Sequence, residues 1–402
     1  MDFEHSERAR RYADKVSEFI KTRVIPNEKT YHSQLVHSSD HREWKIPKIM
    51  EELKAEAKAA GLFNLFMPNE QYGAGLDNRD YAAVAEATGR SFIAPEVFNC
   101  NAPDTGNAEV LFQYGTEEQK DLYLRPLLAG EIRSAFAMTE PAVASSDATN
   151  MKATAAVVGD EIVLNGRKWW TSGAGDPRCK FLIFMGVTDP TASRHNQHSM
   201  VLVPLDAPGV KIVRMVPVFG NLDEPHGHAE IDFENVRLPL GAFILGPGRG
   251  FEIAQGRLGP GRIHHCMRAI GAAEVALEKL CRRATTRIAF GKPLANLGGN
   301  RDIIANCRMA IEQARLYTLK AAWALDQYGT FGALTDISAI KVVAPNVLQT
   351  VVDAAIQIHG GEGIADPELN HLMALARVLR IADGPDEVHR GLVARLELKK
   401  YV

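Results

Sequence analysis

Cysteine is sparse and carries no pattern. The five residues Cys100, Cys179, Cys266, Cys281 and Cys307 are odd in number and contain no C-x-x-C pair. That excludes a disulfide framework and a dithiol redox motif, and leaves small apolar residues of a reducing compartment. The pairs His195/His198, His226/His228 and His264/His265 lack the further ligands that zinc or iron demands, so no metal is expected. No uninterrupted apolar run approaches a membrane span, and the start MDFEHSERARRYADK lacks a secretory signal. A cytoplasmic protein with no membrane span is the expectation. There is no basic excess either: a net charge of -3 argues against a nucleic-acid partner.

What is present is ordinary globular composition, 46% hydrophobic and 24% charged over 402 residues, enough for two or three structural units. Three textures follow one another. Residues 1–131 are rich in Ala, Glu, Lys and Leu, with helical spacing in IPKIMEELKAEAKAAGLF. Residues 132–240 break into short β-branched and aromatic segments such as EIVLNGRKWWTSG and KFLIFMGV, separated by Gly, Pro, Asp and Asn. They predict a β-barrel or sandwich rather than a parallel α/β sheet. Residues 241–402 return to long helices, with Ile263, Met267, Ile270, Ala273, Leu277 and Leu280 on one stripe, and predict an antiparallel bundle. The fold class is mainly α with a middle β-domain.

Four stretches, and one joint, stand out. AFAMTEPAVASSDATN offers hydroxyls and amides to a polar ring edge or a phosphate, or is simply a capped turn. In NGRKWWTSGAGD, adjacent tryptophans on a strand face opposite sides, so one covers something flat or plugs a gap. TTRIAFGKPL sets Arg287 beside a glycine turn, suited to a pyrophosphate or to solvent. IQIHGGEGIADP lets backbone approach a ligand, but is no Rossmann fingerprint. The joint is RIADGPDEVHR: Asp383-Gly384-Pro385 breaks a helix just before another begins. Such a stretch is commonly a surface turn.

Together, the runs EEQKDLYLRPLLAGEIRSAFAMTEP, GRKWWTSG, RIAFGKPL and QIHGGEGI…RVLRIADGPDEVHR resemble the acyl-CoA dehydrogenase family over essentially the whole chain. The likeness is strongest to the subgroup that includes members ten and eleven. It implies an N-terminal α-domain, a middle β-barrel and a C-terminal four-helix bundle holding FAD. It also implies oxidation of an acyl-CoA thioester in fatty acid metabolism and β-oxidation, an electron-transfer flavoprotein as acceptor, and a homo-oligomer, dimer or tetramer.

Carried over by position, Phe136, Met138, Thr139, Ser145 and Ser146 line the flavin and pyrophosphate region. Trp170 covers the ring, with Thr171 and Ser172 beside it. Arg287, Phe290, Gln357 and Gly361 match residues that hold the FAD of a neighbouring subunit. Asp383 falls where the family has its catalytic Glu, followed by Gly384, Pro385 and Glu387; the last two replace a Thr and a Gln that contact FAD elsewhere. Ser146, Arg262 and Gly384 fall on the acyl-CoA side. The resemblance thus implies α-proton abstraction by Asp383 and hydride transfer to flavin, giving a trans-2-enoyl-CoA. Nitroalkane oxidases resemble the same family and use an Asp base with oxygen, which is the alternative.

Overall fold

The computed structural model describes residues 5–402. They fall into two compact units, one of Asn27–Asn64 with Glu96–Leu258, the other of residues up to Pro26, Leu65–Pro95 and Gly259–Val402.

The first of these contains the predicted strands: β1 (Arg133–Ala137), β2 (Thr154–Val158), β3 (Glu161–Ser172), β4 (Cys179–Val187), β5 (His198–Pro204), β6 (Val210–Met215) and β7 (His228–Pro239). They form one seven-stranded sheet in the order β1-β4-β2-β3-β7-β6, with β5 also on β4. The sheet is mixed, because β1 and β2 run parallel to β4 while the other pairs are antiparallel. Strands β4 and β5 are buried nearly throughout, as expected where both faces are covered, whereas β6 is mostly open to solvent. Phe184 and Phe233 meet at 4.7 Å in its core, among Leu182, Val201 and Ile231.

The same unit holds a buried ionic cluster. Arg133 pairs with Asp104, with Glu96 at 3.3 Å and with Asp176 at 3.5 Å. Arg178 and His226 close the ring on Glu96 and Asp176. Each member stabilises its neighbours' charges, so removing one leaves an uncompensated buried charge.

The second unit is helical. Its bundle helices are Gly250–Thr286, in which the boundary between units falls, Asn300–Gly332, Leu334–His359, Pro367–Leu379 and Asp386–Leu398. The stripe from Ile263 to Leu280 is buried throughout. The third helix, Leu334–His359, is long and apolar enough by length and composition to cross a membrane, although no uninterrupted apolar run spans it. Charged residues interrupt its apolar run, yet an 18-residue stretch of it keeps a mean hydropathy of 1.4. It packs against the second, fourth and last helices and buries Ile337, Ile340, Leu348, Val351 and Val352, which is the setting of a core helix.

The first bundle helix also touches Asn78–Thr88 at backbone distance. A Cβ at Gly271 would lie 2.0 Å from the Glu86 carbonyl, and one at Gly89 2.2 Å from that of Arg268. Only glycine permits this approach. Arg315, with its guanidinium shared between Glu86 and Glu274, ties the same region.

Candidate active site

In the β-sheet unit, the loop that leaves β1 is pinned by a buried ion pair. Lys168 on β3 donates to Glu140 at 2.8 Å and to the carbonyls of Met138 and Met185. Glu140 in turn accepts the N–H groups of Lys152 and Ala153. Burial pulls the Lys168 ammonium down to about 8 despite its carboxylate partner. This pin fixes both ends of the loop that carries Met138, Thr139, Ser145 and Ser146. The Ser145 hydroxyl is spent inside the loop, accepting Glu140 N–H at 2.9 Å, while Ser146 is exposed. Thr139 is half-buried, and its carbonyl accepts Trp169 N–H. The Phe136 ring lies under the Arg257 guanidinium at 4.0 Å.

Strand β3 slips register between Lys168 and Thr171. Trp170, inside that slip, adopts φ +52° and stays 39% exposed, its ring turned out of the core. Trp169 is partly buried beside it with ring centroids 6.1 Å apart, so the register slip, not simple strand alternation, turns Trp170 outward. Ser172 bonds His228 Nδ1 at 2.8 Å. Thr171 Oγ1 and Trp169 Nε1 are buried without a partner. The loop histidines and Arg194 serve their own surroundings: Arg194 pairs with Asp147 at 2.9 Å, and His195 stacks on Phe251.

In the helical unit, Asp383 sits in the joint between Pro367–Leu379 and Asp386–Leu398, with φ +55°, followed by Gly384 at φ +104°. Aspartate tolerates this left-handed backbone better than most residues. Three donors hold its carbonyl: Arg262 Nε at 3.1 Å, Arg262 Nη2 at 3.0 Å and His389 Nε2 at 3.2 Å. With the carbonyl so anchored, the left-handed turn is fixed and the carboxylate projects from a defined point. His265 Nε2 lies 3.6 Å from Asp383 Oδ2.

The joint is tied from below as well. Buried Lys341 donates to the Leu379 carbonyl and reaches that of Gly384 at 3.5 Å. Burial lowers the Lys341 pKa, and lowers that of His389 to about 4 with help from the charges of Arg262 and Lys341. His389 is therefore a neutral donor. A Cβ at Gly384 would meet His389 Nε2 at 2.8 Å, so the ring packs directly under the glycine. Burial opposes ionisation of Asp386, yet Asn346 and Arg380 hold its carboxyl below the usual range. Pro385 precedes the last helix and Glu387 is exposed on it.

Within this unit the structure brings Asp383, Gly384 and Arg262 together. Arg262, expected at the CoA arm, spends its guanidinium on the Asp383 carbonyl. Arg287, Phe290, Gln357 and Gly361 are not part of this cluster; all four are exposed. Phe290 and Gly291, at φ +51° and +76°, form the two-residue turn of a hairpin in which Ala289 faces Lys292. Phe290 stands 95% exposed at its tip. The sequence reading passed over His265, Lys341 and the Lys168–Glu140 pin. The one advance sign of His265 was its spacing, three residues after Arg262 on one helix face.

The family models for the acyl-CoA dehydrogenase N-terminal, middle and C-terminal domains match residues 6–131, 135–236 and 248–398. Acyl-CoA dehydrogenase family member 11 of Gallus gallus is 54% identical over 96% of this chain. The chain spans 50% of that relative's length. A solved structure from Mycobacterium abscessus, described as an acyl-CoA dehydrogenase, is 59% identical, with a TM-score of 0.97 and full coverage of both chains. The FAD complex of PigA is 25% identical, covers 99% of this chain and 100% of its own, and has a TM-score of 0.85. FAD is the cofactor of these proteins' family, and the β3 residues fit it. A buried unpaired donor costs roughly 1–3 kcal/mol, and Trp169 Nε1 and Thr171 Oγ1 flank the outward indole with just such groups. By its full-length motif series, its fold and these matches, the chain belongs to the acyl-CoA dehydrogenase family.

Proposed function

We propose that this chain is an FAD-dependent acyl-CoA dehydrogenase in which Asp383 removes the α-proton of an acyl-CoA thioester, giving the trans-2-enoyl-CoA. The observation that carries the assignment is the joint itself. An aspartate in left-handed backbone, its carbonyl held by Arg262 and His389, presents a partly exposed carboxylate from a rigid point. Strained backbone of this kind persists where surrounding structure over-determines it, and it pre-organises a functional group.

The flavin, when bound, supplies the acceptor for the two electrons that leave with the β-hydrogen. The chain's own residues do the rest. Lys168 and Glu140 hold the loop carrying Met138 and Thr139, Trp170 offers a flat apolar face, and Asp383 takes the proton. Apolar substrate covering Asp383 strips water from it, which strengthens a carboxylate as a base. Phe290 at the hairpin tip, with Phe331 and Ile364 also largely exposed, supports a homo-oligomer in which these apolar side chains are covered by another copy. An electron-transfer flavoprotein is the proposed acceptor.

The test is Asp383→Asn, mixed anaerobically with a panel of acyl-CoAs. The variant should keep its FAD and lose nearly all flavin bleaching. Bleaching at the parent rate would remove Asp383 from the mechanism. Oxygen consumption with nitroalkanes and no bleaching by any acyl-CoA would favour the Asp-based oxidase instead.

A further inference from the structure

Of the residues that Leu334–His359 buries, Lys341 alone is charged, at 1% exposure. Burying an ammonium costs free energy that an apolar side chain at the same place would not. Its contacts show where that charge is put. Lys341 donates to the Leu379 carbonyl, at the end of Pro367–Leu379, and to the Gly384 carbonyl at 3.5 Å, just ahead of Asp386–Leu398. It bridges the two ends of the joint that carries Asp383. Both partners are main-chain carbonyls, and among the described residues no carboxylate pairs with Lys341. Its charge is therefore not cancelled in an ion pair, and burial screens it less than water would.

The charged and titratable groups around it come from three elements. The first bundle helix brings Arg262, His265 and Cys266, the joint brings Asp383, and the last helix brings Asp386 and His389. Burial pushes the Cys266 thiol up to about 12, so it carries no charge at neutral pH. His389 is neutral, and Asp386 is paired with Arg380 at 2.8 Å. His265 Nε2 stands 3.6 Å from Asp383 Oδ2. The ammonium of Lys341 and the guanidinium of Arg262 are then the fixed positive charges about Asp383. Burial works against the ammonium, and the Asp383 carboxylate works for it.

We infer that Lys341 is a positioning residue for Asp383: its ammonium closes the joint through the Leu379 and Gly384 carbonyls, and its buried charge favours the ionised carboxylate. The inference rests on Asp383 being the base. Arg262 and His389 hold the carbonyl of Asp383 itself, while Lys341 holds carbonyls before and after it. Desolvation strengthens a carboxylate as a base but also favours its protonated form. A buried cation opposes that protonation without having to bond the carboxylate oxygens.

The experiment compares Lys341→Met, Lys341→Gln and Asp383→Asn in the FAD-loaded protein, reading the rate of flavin reduction at saturating acyl-CoA across pH. Both Lys341 variants lose the charge, and glutamine keeps an N–H donor for a carbonyl. The acid limb of the profile should rise by about one pH unit in both, which is about a tenfold loss of rate on the acid side. The alkaline plateau should fall less in Lys341→Gln than in Lys341→Met. A role in packing alone would lower the plateau and leave the limb in place. Separately, nitrogen NMR of the labelled lysine ammonium should find the Lys341 pKa lower in Asp383→Asn than in the parent, because coupling between two charges is reciprocal.

An acid limb that stays put in Lys341→Gln, or a Lys341 pKa indifferent to Asp383→Asn, would overturn the role of Lys341 and leave the base in place if Asp383→Asn is dead. Parent-like bleaching in Asp383→Asn would instead overturn the base on which it rests. FAD content and far-ultraviolet circular dichroism of the Lys341 variants separate a folding defect from either result. If neither Lys341 variant folds, the NMR comparison of parent and Asp383→Asn decides.

Discussion

Alanine at Gly271 sets two effects of known size against each other. Inside a helix, replacing glycine by alanine stabilises by up to about 1 kcal/mol. At Gly271, however, the new Cβ would stand 2.0 Å from the backbone carbonyl of Glu86, where ordinary contact begins at 3.4 Å. A carbonyl inside another helix has no rotamer to escape into, so the helices must part locally. Overpacking costs about 1–3 kcal/mol, and backbone displacement puts this case at the top of that range. The net expectation is a loss of about 2 kcal/mol once the helix-propensity gain is subtracted.

Gly261 is the matched control, because it lies in the same helix and an added Cβ there meets nothing within 4 Å. Gly261→Ala should therefore gain stability while Gly271→Ala loses it. Guanidinium unfolding followed by circular dichroism reads both as shifts in midpoint. A Gly271→Ala midpoint at or above the parent's would refute backbone contact at this crossing.

Two further outcomes follow from buried charges in the β-sheet unit. Burial alone would discharge His226, but Glu96 at 2.8 Å and Asp176 at 2.9 Å hold it up at about 9. Its stabilising effect is thus complete below the unfolded value of about 6.5 and fades as pH climbs through the folded one. The stability gap between the parent and His226→Gln should be wide in mild acid and narrow in alkali; a gap independent of pH would count against a charged His226. Lys168→Met would strand the Glu140 carboxylate and should cost about 3–5 kcal/mol. Limited proteolysis should then cut within residues 138–153, and an unchanged cleavage pattern would mean the loop does not depend on the pin.

The sequence showed what is local. Helix, strand and helix textures are written in spacing, and the Asp383-Gly384-Pro385 break in backbone chemistry. The Phe290-Gly291 turn was legible for the same reason. What stayed hidden depends on pairs distant along the chain. Arg262 and Asp383 are 121 residues apart, and Lys168 and Glu140 are 28 apart. Neither partner carries a local sign of the other. Gly89 and Gly271 look like weak points in their segments until the two backbones are seen to touch.

The helix Leu334–His359 has a consequence for how the chain is made. Two of its coverings, Pro367–Leu379 and Asp386–Leu398, lie downstream of it. During synthesis it leaves the ribosome before them, with much of its apolar surface still in water. For that interval the nascent chain displays a 26-residue segment fit for a membrane or for another unfinished chain. The bundle is completed only when the segment bearing Asp383 and His389 arrives, so burial of this apolar helix and assembly of the Asp383 joint are one late event.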